Sequence, residues 1–479
     1  MSDIIYYSSL VFITALSMLL FLRSMHMLQL NSYKNIAHFK WLLTNPLKWL
    51  SFKKAKKPLV FTRRVIRMCA TSLIVFGAAE FIIWGDYINA LFSFALLPLA
   101  LFLPIIANII NAPVEKLNNL RYINDAKRII NNHKNLITIG ITGSYGKTST
   151  KYFLHKLLSV KYNTLMTPES FNTTLGVVKT VRNDLKATHE IFICEMGMKW
   201  KGDIKEICDI VKPRHSMLTS IGPQHLETMK TLENIIEEKF TIADAVTDGM
   251  VFLNYDNKYI KNREIDKNIV RYGITEGDKD YRASALSVSE KGTDFTITAP
   301  DGQETQFSTR LLGAHNVQNI TGAIAAANKL GIDMRDLVLP VKRLEPVPHR
   351  LQIINKGDIV IIDDAFNSNP VGANAALDVL KMFGGLRILV TPGMIELGDK
   401  EYELNKEFGA HAGSCCDIAV LIGEKQAAPI KAGLLESNFA EEKIKVFKTI
   451  DEGLEFVYAM DSEGKQKVIL LENDLPDNY

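Results

Sequence analysis

The chain has 479 residues, which is enough for about three domains of ordinary size. Apolar residues make up 47% and charged residues 23% of it, an ordinary globular composition that excludes disorder, collagen-like repeats and a coiled coil for the whole chain. The five cysteines form no C-x-x-C pair, which argues against a disulfide framework or a zinc site. The net charge of +3 combines eleven Lys and Arg in residues 23–67, a segment without Asp or Glu, with a net −8 elsewhere. Because this basic block is local, we expect no nucleic-acid partner.

Three apolar runs near the N-terminus predict membrane-spanning helices. Residues 4–22 lack any charge over nearly the length of a spanning helix, and basic residues follow this run instead of preceding it, unlike in a signal peptide. Residues 68–85 contain one charge, Glu80, and residues 87–111 contain none. A pair of soluble core helices is the alternative, but such helices normally keep a polar face. We therefore expect residues 1–111 to be a membrane region with three spanning helices.

The basic segment predicts the orientation of this region. Basic loops face the cytoplasm, so we expect the loop 23–67 to be cytoplasmic and to contact anionic membrane lipids. The turn 85–87 is then outside, and everything after residue 111 is inside. Residues 112–135 are predicted to be a polar helical connector. The expected protein is a multi-pass protein of the cytoplasmic membrane with its catalytic domains in the cytoplasm.

A strand, a glycine loop and a helix follow the connector and predict a phosphate-binding loop. The apolar strand 136–141 leads into a loop with Gly143 and Gly146, where the backbone can approach phosphates, and a helix begins near Lys147. Lys147 can reach the β- and γ-phosphates, and the Thr148 hydroxyl can bind Mg²⁺. The residues expected to bind the nucleotide here are Gly143, Ser144, Tyr145, Gly146, Lys147, Thr148 and Ser149.

The rest of the chain predicts two α/β domains. Strands and helices alternate from residue 136 to about 270, which predicts a parallel sheet, and short antiparallel strands follow in 280–312. A helix near 316–330 closes this ATP-binding domain, 136–340, and prolines near 340–349 indicate a hinge. Residues 341–479 are predicted to be a Rossmann-like α/β domain with strands near 358–362, 387–391, 417–422 and 467–471.

Polar side chains at strand ends and in loops are candidate site residues. Glu195 ends an apolar strand, where open α/β sheets bind ligands, and a solvated cap is the alternative. His225 follows a Gly-Pro turn, and its alternative is an ordinary loop residue. Lys239 lies on a predicted helix whose charged face alone would explain it. Asp363 and Asp364 end another strand, where one of them could be only a cap or turn residue.

The loop 142–149, Thr-Gly-Ser-Tyr-Gly-Lys-Thr-Ser, resembles the ATP-binding loop of the Mur ligase family, whose members build the peptide of peptidoglycan. Further segments resemble motifs of this family in the same order along the chain. These segments are 170–176, 193–197, 221–227, 313–319, 349–351, 363–370 and 393–398. The last two resemble the D-alanyl-D-alanine-adding branch of the family.

The resemblance implies ATP and Mg²⁺ as cofactors and assigns roles to individual residues. It implies catalytic roles for Lys147, Lys239, His225 and Arg350. It implies that Thr148, Glu195, His225 and Lys239, if carbamylated, hold Mg²⁺. It implies that His315, Asn316, Asn319, Arg350 and Asp364 bind ATP and that Asn172, Thr173, Asn367 and Asn369 bind substrate.

The implied activity is an ATP-dependent amide-bond ligase that acts through an acyl phosphate and adds D-Ala-D-Ala or an amino acid to an envelope precursor. Ser220 replaces the usual Asn of the family, and Thr391-Pro392 replaces a Gly-Asp, which leaves the amine open. Membrane helices stand where such ligases have a UDP-sugar domain, so we expect a lipid-linked acceptor or an envelope polymer at the membrane. The alternatives are a nucleotide-binding membrane scaffold without chemistry and an amidotransferase-type Mur relative, whose usual four-cysteine insert this sequence lacks.

Overall fold

The computed structural model of the protein describes residues 2–46, 49, 58–83, 96–366, 368–395 and 397–474. The chain divides into two compact units, one ending at Tyr122 and one running from Ile123 to Asp474.

The first unit is helical. Its helices are α1 (Ser2–Leu30), α2 (Asn35–Thr44), α3 (Arg63–Ile83) and α4 (Leu96–Asn132), the last of which continues into the second unit. Among the described residues, two segments are long and apolar enough to cross a membrane, Val11–Leu30 and Leu97–Asn132. Length and composition alone are weak evidence that they do so. The predicted second spanning helix, 68–85, falls largely within α3, and the predicted turn 85–87 lies outside the described residues. The three predicted spans are therefore not confirmed.

Two details of this unit differ from the sequence prediction. The predicted boundary between a spanning helix and a connector at residues 111 and 112 falls inside α4, which passes through Pro104 and Pro113 without ending. The predicted basic loop 23–67 is largely helical where it is described, since it includes the end of α1, all of α2 and the start of α3. The apolar runs end before the helices do, so the sequence pattern placed the helix ends too early.

Part of the basic segment packs helices together. Arg64 Nη2 donates a hydrogen bond to Asn108 Oδ1 at 2.8 Å, and Arg67 Nε donates one to Glu115 Oε1 at 3.0 Å. Both contacts join α3 to α4. These two arginines therefore stabilise the helical unit, whatever the other basic residues do.

The second unit begins with a nine-stranded sheet in the order β2-β3-β1-β4-β5-β6-β7-β8-β9. The strands from β2 to β7 along this order are parallel, and β7, β8 and β9 are antiparallel, as the sequence predicts. Its strands are β1 (Ile137–Thr142), β2 (Thr164–Met166), β3 (Ile191–Glu195), β4 (His215–Leu218), β5 (Val251–Asn254), β6 (Ile269–Gly273), β7 (Tyr281–Ser289), β8 (Gly292–Thr298) and β9 (Glu304–Thr309). Its helices are α5 (Lys147–Leu158), α6 (Thr174–Asn183), α7 (Asp203–Val211), α8 (Leu226–Met229), α9 (Leu232–Asp244), α10 (Lys258–Lys261), α11 (Ala314–Lys329) and α12 (Met334–Lys342).

The core of this domain explains why the sequence of each buried strand is a continuous apolar run. Strand β1 is buried along almost its whole length, because helices cover both faces of a parallel sheet. Ile139, Phe153 and Ile324 belong to one apolar cluster that joins β1 to α5 and α11. This packing fixes the end of β1 against the start of α5, where the glycine loop lies.

The C-terminal domain has a six-stranded sheet in the order β10-β11-β15-β12-β13-β14, in which only β10 is antiparallel. Its strands are β10 (Gln352–Lys356), β11 (Ile359–Asp364), β12 (Leu386–Thr391), β13 (Ile418–Ile422), β14 (Ile444–Phe447) and β15 (Lys467–Glu472), and its helices are α13 (Pro370–Met382), α14 (Glu401–Ala412), α15 (Ala427–Glu436) and α16 (Ile450–Ala459). Because β15 lies between β11 and β12, the carboxyl ends of these three strands meet at one edge. That edge carries Asp364, Glu472 and Thr391.

Candidate active site

The glycine loop between β1 and α5 depends on two residues without side chains. Gly146 has φ of 80°, and a Cβ there would lie 2.5 Å from Asn319 Oδ1. A Cβ on Gly143 would lie 2.0 Å from Thr219 Oγ1. The loop therefore approaches its neighbours as closely as a backbone can, and α5 points its N-terminus at the loop, which favours a bound phosphate.

A second loop, residues 219–223, holds the glycine loop in shape. Tyr145 N donates to Ser220 Oγ at 2.7 Å, and Ser144 Oγ donates to the Gly222 carbonyl at 3.0 Å. The Tyr145 hydroxyl donates to the Pro223 carbonyl at 3.0 Å. Ser220, where the sequence departs from the family pattern, thus supports the loop directly.

Lys147 lies over this loop. Its Nζ donates to the Gly143 carbonyl at 2.6 Å. Burial lowers the pKa of Lys147 to about 8, with Glu195 opposing this shift and Arg350 adding to it. A bound polyphosphate would add negative charge beside this half-buried ammonium.

Glu195, at the end of β3, is the centre of a buried polar cluster. Its Oε1 accepts hydrogen bonds from Thr148 Oγ1 at 3.1 Å and from Asn172 Nδ2 at 3.2 Å. Lys151 Nζ lies 3.0 Å from Oε2 as a buried ion pair, and within the described part of the chain Oε2 has no other hydrogen-bond donor. One carboxylate oxygen thus keeps a lone pair available.

This cluster fits a magnesium ion. A hydroxyl and a carboxylate with a free lone pair are the hard oxygen ligands that Mg²⁺ takes from proteins alongside substrate phosphates. Thr148 and Glu195 would hold the ion, as the sequence predicts. The ion would supply charge neutralisation at the phosphates.

Lys151 is a site residue that sequence reasoning missed. Its side chain is fully buried, pairs with Glu195 and donates to the Glu169 carbonyl. The available signal was its spacing, because a lysine four residues after Lys147 lies on the same face of α5. A buried charge needs a partner, and Glu195 is that partner.

Lys239 lies within electrostatic reach of Lys147, and His225 follows the loop 219–223 in the chain. Lys239 is 1% exposed on α9, and its pKa is well below the usual value because of burial and repulsion by Lys147. His225 has φ of 54° and starts α8, where its carbonyl accepts a hydrogen bond from Met229 N at 2.9 Å. Their roles as metal ligands stay predictions.

Eight of the twelve residues predicted to bind ATP line one cavity of about 140 Å³, and Gly143, Ser144, Lys147 and Thr148 are not among its lining residues. Of the lining residues, Asn319 Oδ1 accepts from Thr150 Oγ1 at 3.2 Å, and Asn316 Nδ2 donates to the Leu312 carbonyl at 2.8 Å. Burial lowers the pKa of His315 to about 4, so this imidazole is neutral at neutral pH. The predicted residues on this cavity are Tyr145, Gly146, Ser149, His315, Asn316, Asn319, Arg350, Asp364 and Asn369.

Arg350 connects the two domains at the site. Its Nη2 donates to Thr148 Oγ1 at 3.3 Å, and its guanidinium lies 4.7 Å above the centre of the Phe366 ring. The residues on either side, His349 and Leu351, have φ of 59° and 47°. Non-glycine residues adopt this conformation at a cost, so the surrounding contacts must hold the segment.

Two aspartates at the end of β11 provide those contacts. Asp363 Oδ2 lies 2.8 Å from His349 Nδ1, and Asp364 Oδ1 accepts from Leu351 N at 3.1 Å. Burial raises the pKa of Asp364 to about 6. Asp363 and Asp364 therefore position Arg350, in addition to the nucleotide contact predicted for Asp364.

The predicted substrate residues have separate placements. Asn172 contacts Glu195 as described, while Thr173 caps α6 and accepts from Gly176 N at 3.4 Å. Asn369 caps α13 and accepts from Gly372 N at 2.8 Å, and Asn367 lies outside the described residues. A second cavity of about 300 Å³ shares Arg350 and Phe366 with the first. It is lined by Thr148, Tyr152, Glu169, Ser170, Val347, Pro348, His349, Arg350 and Phe366.

Comparison with known proteins agrees with this geometry. The Mur ligase middle domain matches residues 141–327, and the Mur ligase, glutamate ligase domain matches residues 349–471. The UDP-N-acetylmuramoyl-tripeptide–D-alanyl-D-alanine ligase of Bacillus subtilis is 32% identical over 329 residues, which cover 68% of this chain and 71% of that protein. The chain belongs to the Mur ligase family.

Other members of the Mur ligase family support the same placement. The ligase of that name from Escherichia coli is 27% identical over 310 residues, covering 64% of this chain and 68% of that protein. The crystal structure of MurF from Acinetobacter baumannii superposes with a TM-score of 0.67 at 26% identity, covering 75% of this chain and 78% of that one. The predicted α/β fold with Mur ligase middle and C-terminal domains is confirmed. Neither domain match reaches the residues before 141.

Proposed function

We propose that the protein is an ATP-dependent carbon–nitrogen ligase that adds D-alanyl-D-alanine to a peptidoglycan precursor. The names of the two ligases described above support this activity. The observation that carries it is the contact of Arg350, from the C-terminal domain, with the Thr148 hydroxyl beside Glu195. A nucleotide-binding scaffold would not need Arg350 of one domain to contact the Thr148 hydroxyl, a predicted Mg²⁺ ligand, of the other domain.

The arrangement suits phosphoryl transfer to a carboxylate. The acceptor carboxylate attacks the γ-phosphorus of ATP, the bond to the β-phosphate oxygen breaks, and ADP leaves as the acyl phosphate forms. Lys147 and Arg350 would offset the charge on the transferred group, which is the main requirement of this reaction. The cavity that shares Arg350 and Phe366 with the nucleotide cavity would hold the acceptor.

The amine completes the reaction. Its nitrogen attacks the acyl carbon, a C–N bond forms, and the C–O bond to phosphate breaks, so that inorganic phosphate leaves with the electron pair. The two protons lost from the ammonium go to a protein base and to the departing phosphate. Closure of the two domains around residues 343–351 would exclude water from the acyl phosphate.

Lys239 would act as a carbamate. An amine must be neutral to add CO₂, and burial keeps the pKa of Lys239 well below its usual value. The carbamate would convert a buried cation into an anion beside Lys147. It would then serve, with His225, as a ligand of a second Mg²⁺.

The finer part of the proposal is a lipid-linked acceptor at the cytoplasmic membrane face. The first unit supports it, because its buried side chains include Ser24, His38, Asn108 and Glu115, while its exposed ones include Val11, Phe12, Leu73 and Ile74. Polar residues inside and apolar residues outside are what a helical bundle needs in lipid. The basic residues of 23–67 outside the helix contacts would attract an anionic carrier.

The test is a product assay with purified full-length protein in lipid. Mg-ATP, D-Ala-D-Ala and either a UDP-linked or a lipid-linked tripeptide acceptor are supplied, and products are identified by mass spectrometry. Amide formation that Lys147→Ala abolishes supports the ligase. ATP binding without product from any acceptor would favour the scaffold instead. Preference for the soluble acceptor would refute only the membrane part.

A further inference from the structure

Glu472 is a buried carboxyl group that none of the predicted roles uses. It is 1% exposed at the carboxyl end of β15, the strand between β11 and β12. It lines the same cavity as Arg350, Asp364 and Ser368. Its two oxygens accept hydrogen bonds from the hydroxyls of Ser368 and Thr391, the latter at 3.3 Å.

Glu472 has no ion-pair partner among the residues that the structure describes. Within the described ranges, no Lys, Arg or His forms an ion pair with it, and its neighbour in the parallel register is another acid, Asp364. Burial, with repulsion from Asp364, raises the pKa of Glu472 to about 8. Buried carboxyl groups normally have a cationic partner or a function, so this one calls for a cation from outside the chain.

We propose that Glu472 binds the ammonium group of the amine substrate and accepts the proton that the nitrogen must lose before it attacks the acyl phosphate. This inference rests on the proposed ligase function and adds the amine site to it. An α-amino group has a pKa of about 8, so the amine reaches the enzyme mainly as an ammonium ion that cannot attack. The ammonium and the carboxylate would each supply the charge that the other lacks.

The proton balance is simple. Ammonium binding makes Glu472 release its own proton to solvent, because the opposite charge stabilises the carboxylate. One N–H bond of the ammonium then breaks, its proton moves to a Glu472 oxygen, and the freed lone pair attacks the acyl carbon. Acid and base of similar pKa exchange a proton with little cost, which is the condition for effective general base catalysis. The second proton leaves with the phosphate.

Hydroxylamine separates this role from the earlier steps. It is uncharged at neutral pH, so it captures an acyl phosphate as a hydroxamate without a cation site or a proton acceptor. Wild-type protein is given acceptor and Mg-ATP with either hydroxylamine or D-Ala-D-Ala. Glu472→Gln, which keeps the shape and one of the two acceptor oxygens, is compared with it.

We expect Glu472→Gln to form hydroxamate within about threefold of the wild type and to lose about 100-fold or more in kcat/KM for D-Ala-D-Ala. Glu472→Asp should recover part of the amine rate. Asp378→Asn, an exposed carboxylate of the same domain that pairs with His411, is the matched control and should change neither rate.

Four results would overturn the inference. Equal loss of both reactions in Glu472→Gln would make Glu472 a structural residue, and an unchanged amine rate would remove it from the mechanism. If Glu472→Gln fails to fold, retained amine turnover by Glu472→Met or Glu472→Leu would refute it equally. Absence of hydroxamate from the wild type would instead refute the ligase function, and the amine site with it.

Discussion

Burial of the Lys147 ammonium lowers the free energy of unfolding, and this effect can be tested without knowing the substrates. Lys147→Met removes an ammonium that the folded protein holds with a pKa of about 8 in place of 10.5. A shift of this size corresponds to about 3 kcal/mol in the free energy of unfolding. Because part of the Lys147 side chain is exposed, screening should reduce this to about 2 kcal/mol. The inactive variant should therefore be more stable than the wild type.

The sign of the pH dependence follows from the direction of the shift. A lysine whose folded-state pKa is lowered destabilises the protein fully below that pKa, and the penalty disappears as pH rises toward the unfolded value. The advantage of Lys147→Met should be complete at pH 7 and should vanish by about pH 10.5.

Thermal unfolding with and without Mg-ATP measures this directly. The control is Lys156→Met, which replaces an exposed lysine on the same helix and should not shift the melting temperature at about pH 7 or at about pH 10.5. Mg-ATP should raise the melting temperature of the wild type more than that of Lys147→Met, because phosphate compensates the ammonium. A less stable Lys147→Met, or a gain that does not change with pH, would refute the electrostatic account.

Further predictions concern the metal side, the carbamate and the domain contact. Glu195→Gln should raise the Mg²⁺ concentration needed for turnover, which a Mg²⁺ titration measures. It should also lower the free energy of unfolding by about 3 kcal/mol, because it leaves Lys151 as a buried unpaired cation. Unchanged stability in denaturant unfolding would contradict the ion pair. Removal of dissolved CO₂ should lower the wild-type rate, and added bicarbonate should restore it. With ¹³C-labelled bicarbonate, the wild type should show a carbamate signal in the NMR spectrum that Lys239→Arg lacks. A rate independent of CO₂ would exclude the carbamate. Spectroscopic distances between labels on the two domains should shorten with an ATP analogue and acceptor, whereas equal distances would argue against closure about residues 343–351.

Much of the ATP-binding domain could be predicted because local sequence and global fold agree there. The strand β1, the glycine loop and α5 each have an unambiguous pattern, and Thr148 and Glu195 meet because the carboxyl ends of neighbouring parallel strands share an edge. The family resemblance likewise assigns both residues to Mg²⁺. The predicted strands of 358–362, 387–391, 417–422 and 467–471 are present with small changes at their ends.

What could not be predicted depends on contacts between distant segments. The strands β10 and β14 are short and partly polar, so their patterns are weak, and only pairing with β11 and β13 makes them strands. Lys151 looks like a solvated lysine until Glu195 is placed beside it. Glu472 ends an apolar strand in a segment without a motif, and its isolation follows only from the strand order, which sets it beside Asp364.

The helical unit shows a different limit. Composition predicts where these helices lie but predicts their ends poorly, and α4 extends beyond its apolar run through residue 132. Charge patterning likewise could not show that Arg64 and Arg67 are used in helix packing, because their partners lie about 45 residues away on α4.

The central claim is that the chain makes an amide through an acyl phosphate, and oxygen transfer tests it most directly. The acceptor carboxylate is labelled with ¹⁸O, the full-length protein is supplied with Mg-ATP and D-Ala-D-Ala, and the inorganic phosphate is analysed by mass spectrometry. The account predicts one ¹⁸O atom in each phosphate released, in step with amide formation and absent from Lys147→Ala. Phosphate released without ¹⁸O while amide accumulates, or no amide from any acceptor offered, would contradict it.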